Sequence, residues 1–113
     1  MINYIDNEAY VEGVKLESVD QVYQTPYYLY SQARITDAFN NLKNILNSKI
    51  YYSVKANSNQ AIIRLMHKLG AGADVVSSGE LKRALHAGIP PDNIIFEGVG
   101  KSREDILFAI NSN

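Results

Sequence analysis

Apolar positions along this chain change their period several times, and the changes mark out its elements. From residue 50 onward, short apolar runs alternate with longer stretches of helical spacing. Ile50–Val54 is the first run; an apolar, β-prone stretch of this length bounded by turn signals reads as a buried parallel strand. A helix is predicted near Asn59–Leu69, with Ile62, Leu65, Met66 and Leu69 on one face and Gly70 as its stop. The pattern then repeats. A strand over Ala73–Val76 precedes a helix near Ser78–Ala87 that Gly88 ends; after the Pro90-Pro91 loop, a strand over Ile94–Phe96 precedes a helix near Arg103–Ile110.

The first 49 residues are less regular. Residues 1–24 carry Tyr4, Tyr10, Val11, Val14 and Leu16 with a turn signal at Gly13, which predicts one or two short strands. Thr25-Pro26 breaks the chain, and Tyr27–Tyr30 reads as a strand. Ser31 is placed to cap a helix whose apolar face is Ile35, Ala38, Phe39, Leu42, Ile45 and Leu46.

Predicted strands starting near 50, 73 and 94 give a βα repeat of about 22 residues, and right-handed crossovers make its strands parallel. Two layouts accept such a repeat, a doubly wound sheet and a (β/α)8 barrel. A barrel needs about 250 residues. Three repeats complete neither layout, so the chain is expected to be an N-terminal piece of a larger protein. Alone, it would expose an unpaired strand edge, an aggregation hazard.

Composition narrows the function classes. The chain has 113 residues, is 46% hydrophobic and 20% charged, and carries a net charge of −1. No basic excess favours nucleic-acid binding. The absence of cysteine excludes disulfides and thiolate chemistry within this sequence. The first ten residues include Asp6 and Glu8 and lack an apolar core with a basic flank, so they do not read as a signal peptide. No apolar run reaches membrane-spanning length. The expected location is the cytoplasm, with neither nucleic acid nor membrane as partner.

The residue that most needs a chemical account is Lys55. It follows the first repeat strand, at the carboxyl end where α/β folds place their sites. A lysine in a partly apolar pocket attacks carbonyl groups as a nucleophile; the plainer reading is an ammonium group extended to water or to a carboxylate. Asp74 sits inside the second repeat strand, where a neighbouring parallel strand would bring it near Lys55 as an ion pair, or where it serves as a structural acceptor. Ser77 and Glu80 have the spacing of a capping box; alternatively, Glu80 faces the mouth of the sheet and tunes a cationic centre. Ser102–Asp105 is a second capping signal. Gly79 is too isolated to mark a phosphate loop. His67 and His86 fall late in helices, where the dipole suits imidazolium, and two separated histidines do not make a metal site.

Four segments together resemble a known family: Thr25–Tyr30, Tyr52–Asn57, Gly70–Leu81 and Phe96–Ser102. In order and spacing they are similar to the fold-III pyridoxal 5'-phosphate (PLP) decarboxylases of the ornithine/diaminopimelate/arginine type, most closely the diaminopimelate-decarboxylating members, over about residues 10–113. The Lys55 motif alone also fits alanine racemases; the Gly70–Leu81 block is more specific. The resemblance implies the N-terminal part of an alanine-racemase-like (β/α)8 TIM barrel. Residues 1–30 would pack with a β-domain absent from this sequence, and residues 31–113 would open the PLP-binding barrel. It implies that Lys55 carries PLP and is catalytic, and that Asp74 and Glu80 line the cofactor side; Asn57 matches a motif residue without an assigned role. It further implies a homodimer and decarboxylation of meso-2,6-diaminoheptanedioate to L-lysine. The family's phosphate loop, pyridine-nitrogen carboxylate, stacking histidine and substrate contacts lie further along, so these 113 residues alone are expected to be inactive. An ornithine- or arginine-type decarboxylase, a racemase, a PLP-binding protein without catalysis and a truncated relic remain alternatives.

Overall fold

The computed structural model describes residues 2–112. The chain divides into two compact units, Met1–Ala38 and Phe39–Asn113.

The first unit holds a three-stranded antiparallel sheet: β1 (Asn3–Ile5), β2 (Glu8–Val11) and β3 (Val14–Lys15). Its two hairpins each have a two-residue loop. Asp6 and Asn7 have φ of 49° and 64°, and Glu12 and Gly13 have φ of 52° and 79°. Positive φ at both loop positions is the type I′ geometry that matches strand twist. The sequence predicts one or two strands here; the structure has three, followed by a short helix, α1 (Leu16–Asp20), which the weak apolar pattern did not announce. Tyr27–Tyr30, expected as a strand, belongs to no ladder. A strand exists only through a hydrogen-bonded neighbour, and among the described residues none pairs with this segment. Ser31 caps as expected: its Oγ accepts from the Arg34 amide at 3.1 Å, and the hydroxyl donates to the Glu12 carboxylate. The helix it opens, α2 (Gln32–Ile45), runs across the boundary between the units.

The second unit contains the βα repeat: β4 (Tyr51–Ser53), α3 (Gln60–Lys68), β5 (Gly72–Val75), α4 (Ser78–His86), β6 (Ile94–Phe96) and α5 (Arg103–Ile110). The strands are parallel in the order β4-β5-β6, with Ser53 opposite Asp74 and Asp74 opposite Ile95. Side chains alternate across a sheet. One face carries Val54, Ala73 and Val75, all fully buried, against Ile63 of α3, Leu81 and Ala84 of α4, and Phe108 of α5. All three helices therefore lie on the same side. A doubly wound sheet reverses its strand order and covers both faces; sequential order with helices on one side is the barrel layout. Three strands form an open part of it, and no barrel closes among the described residues.

Both interior helix stops use one device. After α3, the Gly70 amide bonds the His67 carbonyl and the Ala71 amide bonds that of Met66; after α4, Gly88 bonds Leu85 and Ile89 bonds Ala84. This is the Schellman arrangement, and the glycines take the positive φ it requires, 97° and 92°. Ala71 and Ile89, just past the stops, are buried and lead the chain into the next strand or turn. Gly72 is required for a different reason. A Cβ there would fall 2.5 Å from the Asn93 carbonyl oxygen and 2.6 Å from the Tyr51 ring. No helix of the described residues is long and apolar enough to cross a membrane.

Candidate functional site

The face of the sheet opposite the helices carries Tyr51, Ser53, Asp74 and Ile95. Charged groups gather at its carboxyl end. β4 stops at Ser53, and a 3₁₀ turn, Val54–Ala56, carries Lys55 off the ladder. Val54, fully buried, anchors the turn in the core while Lys55 points to solvent. The turn is tied down beyond Lys55 as well. The Tyr52 hydroxyl donates to the Asn57 carbonyl at 2.9 Å, and the Asn57 side-chain oxygen accepts from the Asn59 amide at 3.0 Å. Asn59 in turn caps α3 by accepting from the Ala61 amide at 2.9 Å. Arg83 of α4 donates to the Ser58 carbonyl at 3.2 Å. Asn57 thus shapes the loop that presents Lys55.

Of the two readings of Asp74, the structure takes the structural acceptor and not the ion pair with Lys55. Lys55 Nζ lies 3.6 Å from Glu97 Oε1, immediately after β6, and Asp74 is not its partner. The register explains this. Asp74 stands opposite Ser53, two residues short of Lys55, and its Oδ2 accepts from the Ser53 hydroxyl at 2.9 Å. Asp74 Oδ1 is buried without a hydrogen-bond partner among the described residues.

Glu80 also departs from a simple capping box. Ser77 Oγ accepts from the Glu80 amide at 3.2 Å, as expected. The Glu80 carboxylate, however, accepts from the Val76 amide at 2.9 Å, one residue before the cap. It thereby stitches the end of β5 to the start of α4. The complete capping box is the other one, where Ser102 and Asp105 bond each other's amides at the head of α5. His67 and His86 stand on α3 and α4; the His86 ring nitrogen Nε2 lies 3.3 Å from an Arg64 guanidinium nitrogen.

Lys55, Asp74 and Glu80, the three residues singled out from the sequence, therefore all lie at the carboxyl end of the parallel sheet. Sequence reasoning missed Glu97, Ser53 and Tyr52. Strand register is the signal that connects Ser53 to Asp74, and the period-two pattern places Glu97 on the same face as Ile95.

A sequential parallel sheet with helices on one side and a lysine at its strand ends defines the opening part of a (β/α)8-barrel protein. The chain belongs to the pyridoxal-dependent decarboxylases: residues 32–113 match the family's pyridoxal binding domain. It is 42% identical over 112 residues to the diaminopimelate decarboxylase of Aquifex aeolicus, covering 98% of this chain and 27% of that protein. A solved structure from Aquifex aeolicus superposes with a TM-score of 0.92 at 42% identity, covering 98% of this chain and 28% of the other. The Helicobacter pylori diaminopimelate decarboxylase, solved with L-lysine, gives a TM-score of 0.81 at 46% identity, over 87% of this chain and 26% of its own. The chain spans about a quarter of the length of the curated relatives it matches.

The residues present fit the carbonyl end of pyridoxal phosphate. That group carries an aldehyde, which a primary amine takes up. Lys55 offers such an amine, 58% exposed, at the strand ends. The free Oδ1 of Asp74 leaves acceptor capacity on the same face of the sheet.

Proposed function

We propose that this chain supplies the lysine-bearing opening of a PLP-dependent decarboxylase that converts meso-2,6-diaminoheptanedioate to L-lysine. The observation that carries the proposal is the position of Lys55 on a pinned turn at the carboxyl end of the sheet, within a matched pyridoxal binding domain. The resemblance to diaminopimelate decarboxylases supports the choice of substrate.

Bound pyridoxal phosphate supplies an electron sink for the charge left when carbon dioxide departs. The residues of this chain have simpler tasks. Lys55 would hold the cofactor through its amine, and its Nζ, when free, would move a proton. Asp74 and Glu80 line the cofactor side at the end of β5. Residues 1–30 pack with a β-domain, residues 31–113 open the barrel, and the whole protein works as a homodimer in the cytoplasm.

Borohydride reduction followed by peptide mass spectrometry tests this directly, because it fixes the lysine–cofactor bond as a stable secondary amine. A pyridoxyl group on Lys55 of the native polypeptide, with lysine released from diaminopimelate, is the expected result. An unmodified Lys55 after incubation with the cofactor would reject the cofactor role. Pyridoxyl on Lys55 with turnover of ornithine and none of diaminopimelate would reject the substrate.

A further inference from the structure

We propose that Arg83 and Gln60 form a clamp between α4 and the loop that presents Lys55, and that both are positioning residues for its amine. The proposal rests on the reading of Lys55 as the cofactor-bearing lysine.

The ladder alone does not place Lys55. Pairing between β4 and β5 ends with Ser53 opposite Asp74, and Lys55 lies two residues further on, in the 3₁₀ turn. Its position is therefore set by bonds made outside the sheet. On one side, the Tyr52 hydroxyl holds the Asn57 carbonyl at 2.9 Å. On the other, the Arg83 guanidinium donates to the Ser58 carbonyl at 3.2 Å, and the Gln60 side-chain amide donates to the Arg83 carbonyl at 3.0 Å. Each partner's side chain thus reaches the other's backbone. One hydrogen bond restrains a distance; two at separate points also restrain the angle between loop and helix.

The helix that carries the clamp is itself fixed to the sheet. Leu81 and Ala84 of α4 are buried in the core, and Glu80 bonds the Val76 amide, two residues beyond Asp74. One helix is therefore fastened both to the strand end that carries Asp74 and to the loop that follows Lys55. Arg83 is exposed and, among the described residues, has no carboxylate within 4 Å. Its charged donor meets a loop carbonyl instead, and a charged donor makes the stronger kind of hydrogen bond.

Ser58 and Asn59 are exposed, and a loop with few buried contacts is held mainly by such bonds. Apparent affinity at a partly formed site falls in proportion to the fraction formed. Loss of a clamp bond should therefore weaken capture of an aldehyde by Lys55 while leaving the amine itself intact.

The test is pyridoxyl labelling of the full chain. Incubation with pyridoxal phosphate below saturation and borohydride reduction precede peptide mass spectrometry, with Lys43 of α2 and Lys68 at the far end of α3 as internal references. The Lys55 share should fall about two- to tenfold in Arg83→Ala, and Arg83→Lys, which keeps a charged donor, should restore part of it. Gln60→Met removes the other bond at similar side-chain length and should move the share in the same direction, which decides the matter even if Arg83→Ala does not fold. Higher pyridoxal phosphate should recover Lys55 labelling in both variants. A clamp that only joined α3 to α4 would lower the thermal midpoint and leave the Lys55 share of the folded chain unchanged, and that result would overturn the role. Absence of pyridoxyl from Lys55 of the unaltered chain overturns the cofactor reading and this role with it; pyridoxyl on Lys55 with an unchanged share in the variants overturns this role alone.

Discussion

Ser53 and Asp74 face each other across β4 and β5, and the Ser53 hydroxyl donates to Asp74 Oδ2 at 2.9 Å while Asp74 Oδ1 stays buried without a partner. The carboxylate thus depends heavily on one hydroxyl. Ser53→Ala should destabilise the second unit by about 1–3 kcal/mol, the cost of leaving a buried acceptor unsatisfied. Asp74→Ala in the same background should recover part of that loss. Urea unfolding of the two single variants and the double variant measures the coupling, and additive effects would show that the bond contributes nothing.

Tyr52 holds the turn that presents Lys55. Tyr52→Phe removes the hydroxyl that reaches the Asn57 carbonyl and keeps the ring packed on the core. The expected cost is about 0.5–1.5 kcal/mol. Amide hydrogen exchange should quicken across residues 54–59 and stay unchanged in α5.

Gly72 has no room for a side chain. Gly72→Ala forces its methyl against the Asn93 carbonyl and the Tyr51 ring. Overpacking of this kind costs about 1–3 kcal/mol. The loss should appear as a lower thermal midpoint, whereas Gly79→Ala, where the nearest atom to a new Cβ is Ser77 Oγ at 3.8 Å, should not match it.

Acid should loosen the head of α5. The Ser78 hydroxyl beside it, then the Ser102 amide and hydroxyl, hold the Asp105 carboxyl down to about 2 from an ordinary 3.8. A depressed carboxylate stabilises the fold above its ordinary value, and that contribution is lost as pH falls from about 4 toward 2. An NMR titration of the Asp105 side chain should give a midpoint near 2, with protection of the first α5 amides falling over the same interval. Asp105→Ala should remove that dependence.

The second unit was legible because its signals are local. Periodicity placed the strands and helices of the repeat, and Gly70 and Gly88 announced stops that depend on positive φ. Ser77 and Ser102 announced helix starts in the same way. The errors were of another kind. Of the two readings of Asp74, the ion pair with Lys55 treated adjacency of strands as adjacency of side chains; register instead gave Asp74 to Ser53 as the acceptor of the other reading and left Lys55 for a strand two places away. Tyr27–Tyr30 has β-prone residues, yet a ladder needs a partner that composition cannot supply. The choice between sheet layouts depended on strand order and on which face the helices cover, and neither is written in any single repeat.

The 3₁₀ turn has a consequence for inheritance. Because Lys55 sits outside the β4 ladder, with Val54 supplying the buried anchor beside it, the residue that would do the chemistry contributes almost nothing to folding. A gene copy that lost Lys55 would still encode the same sheet, helices and caps. Selection on foldedness alone would therefore not preserve the amine at this position.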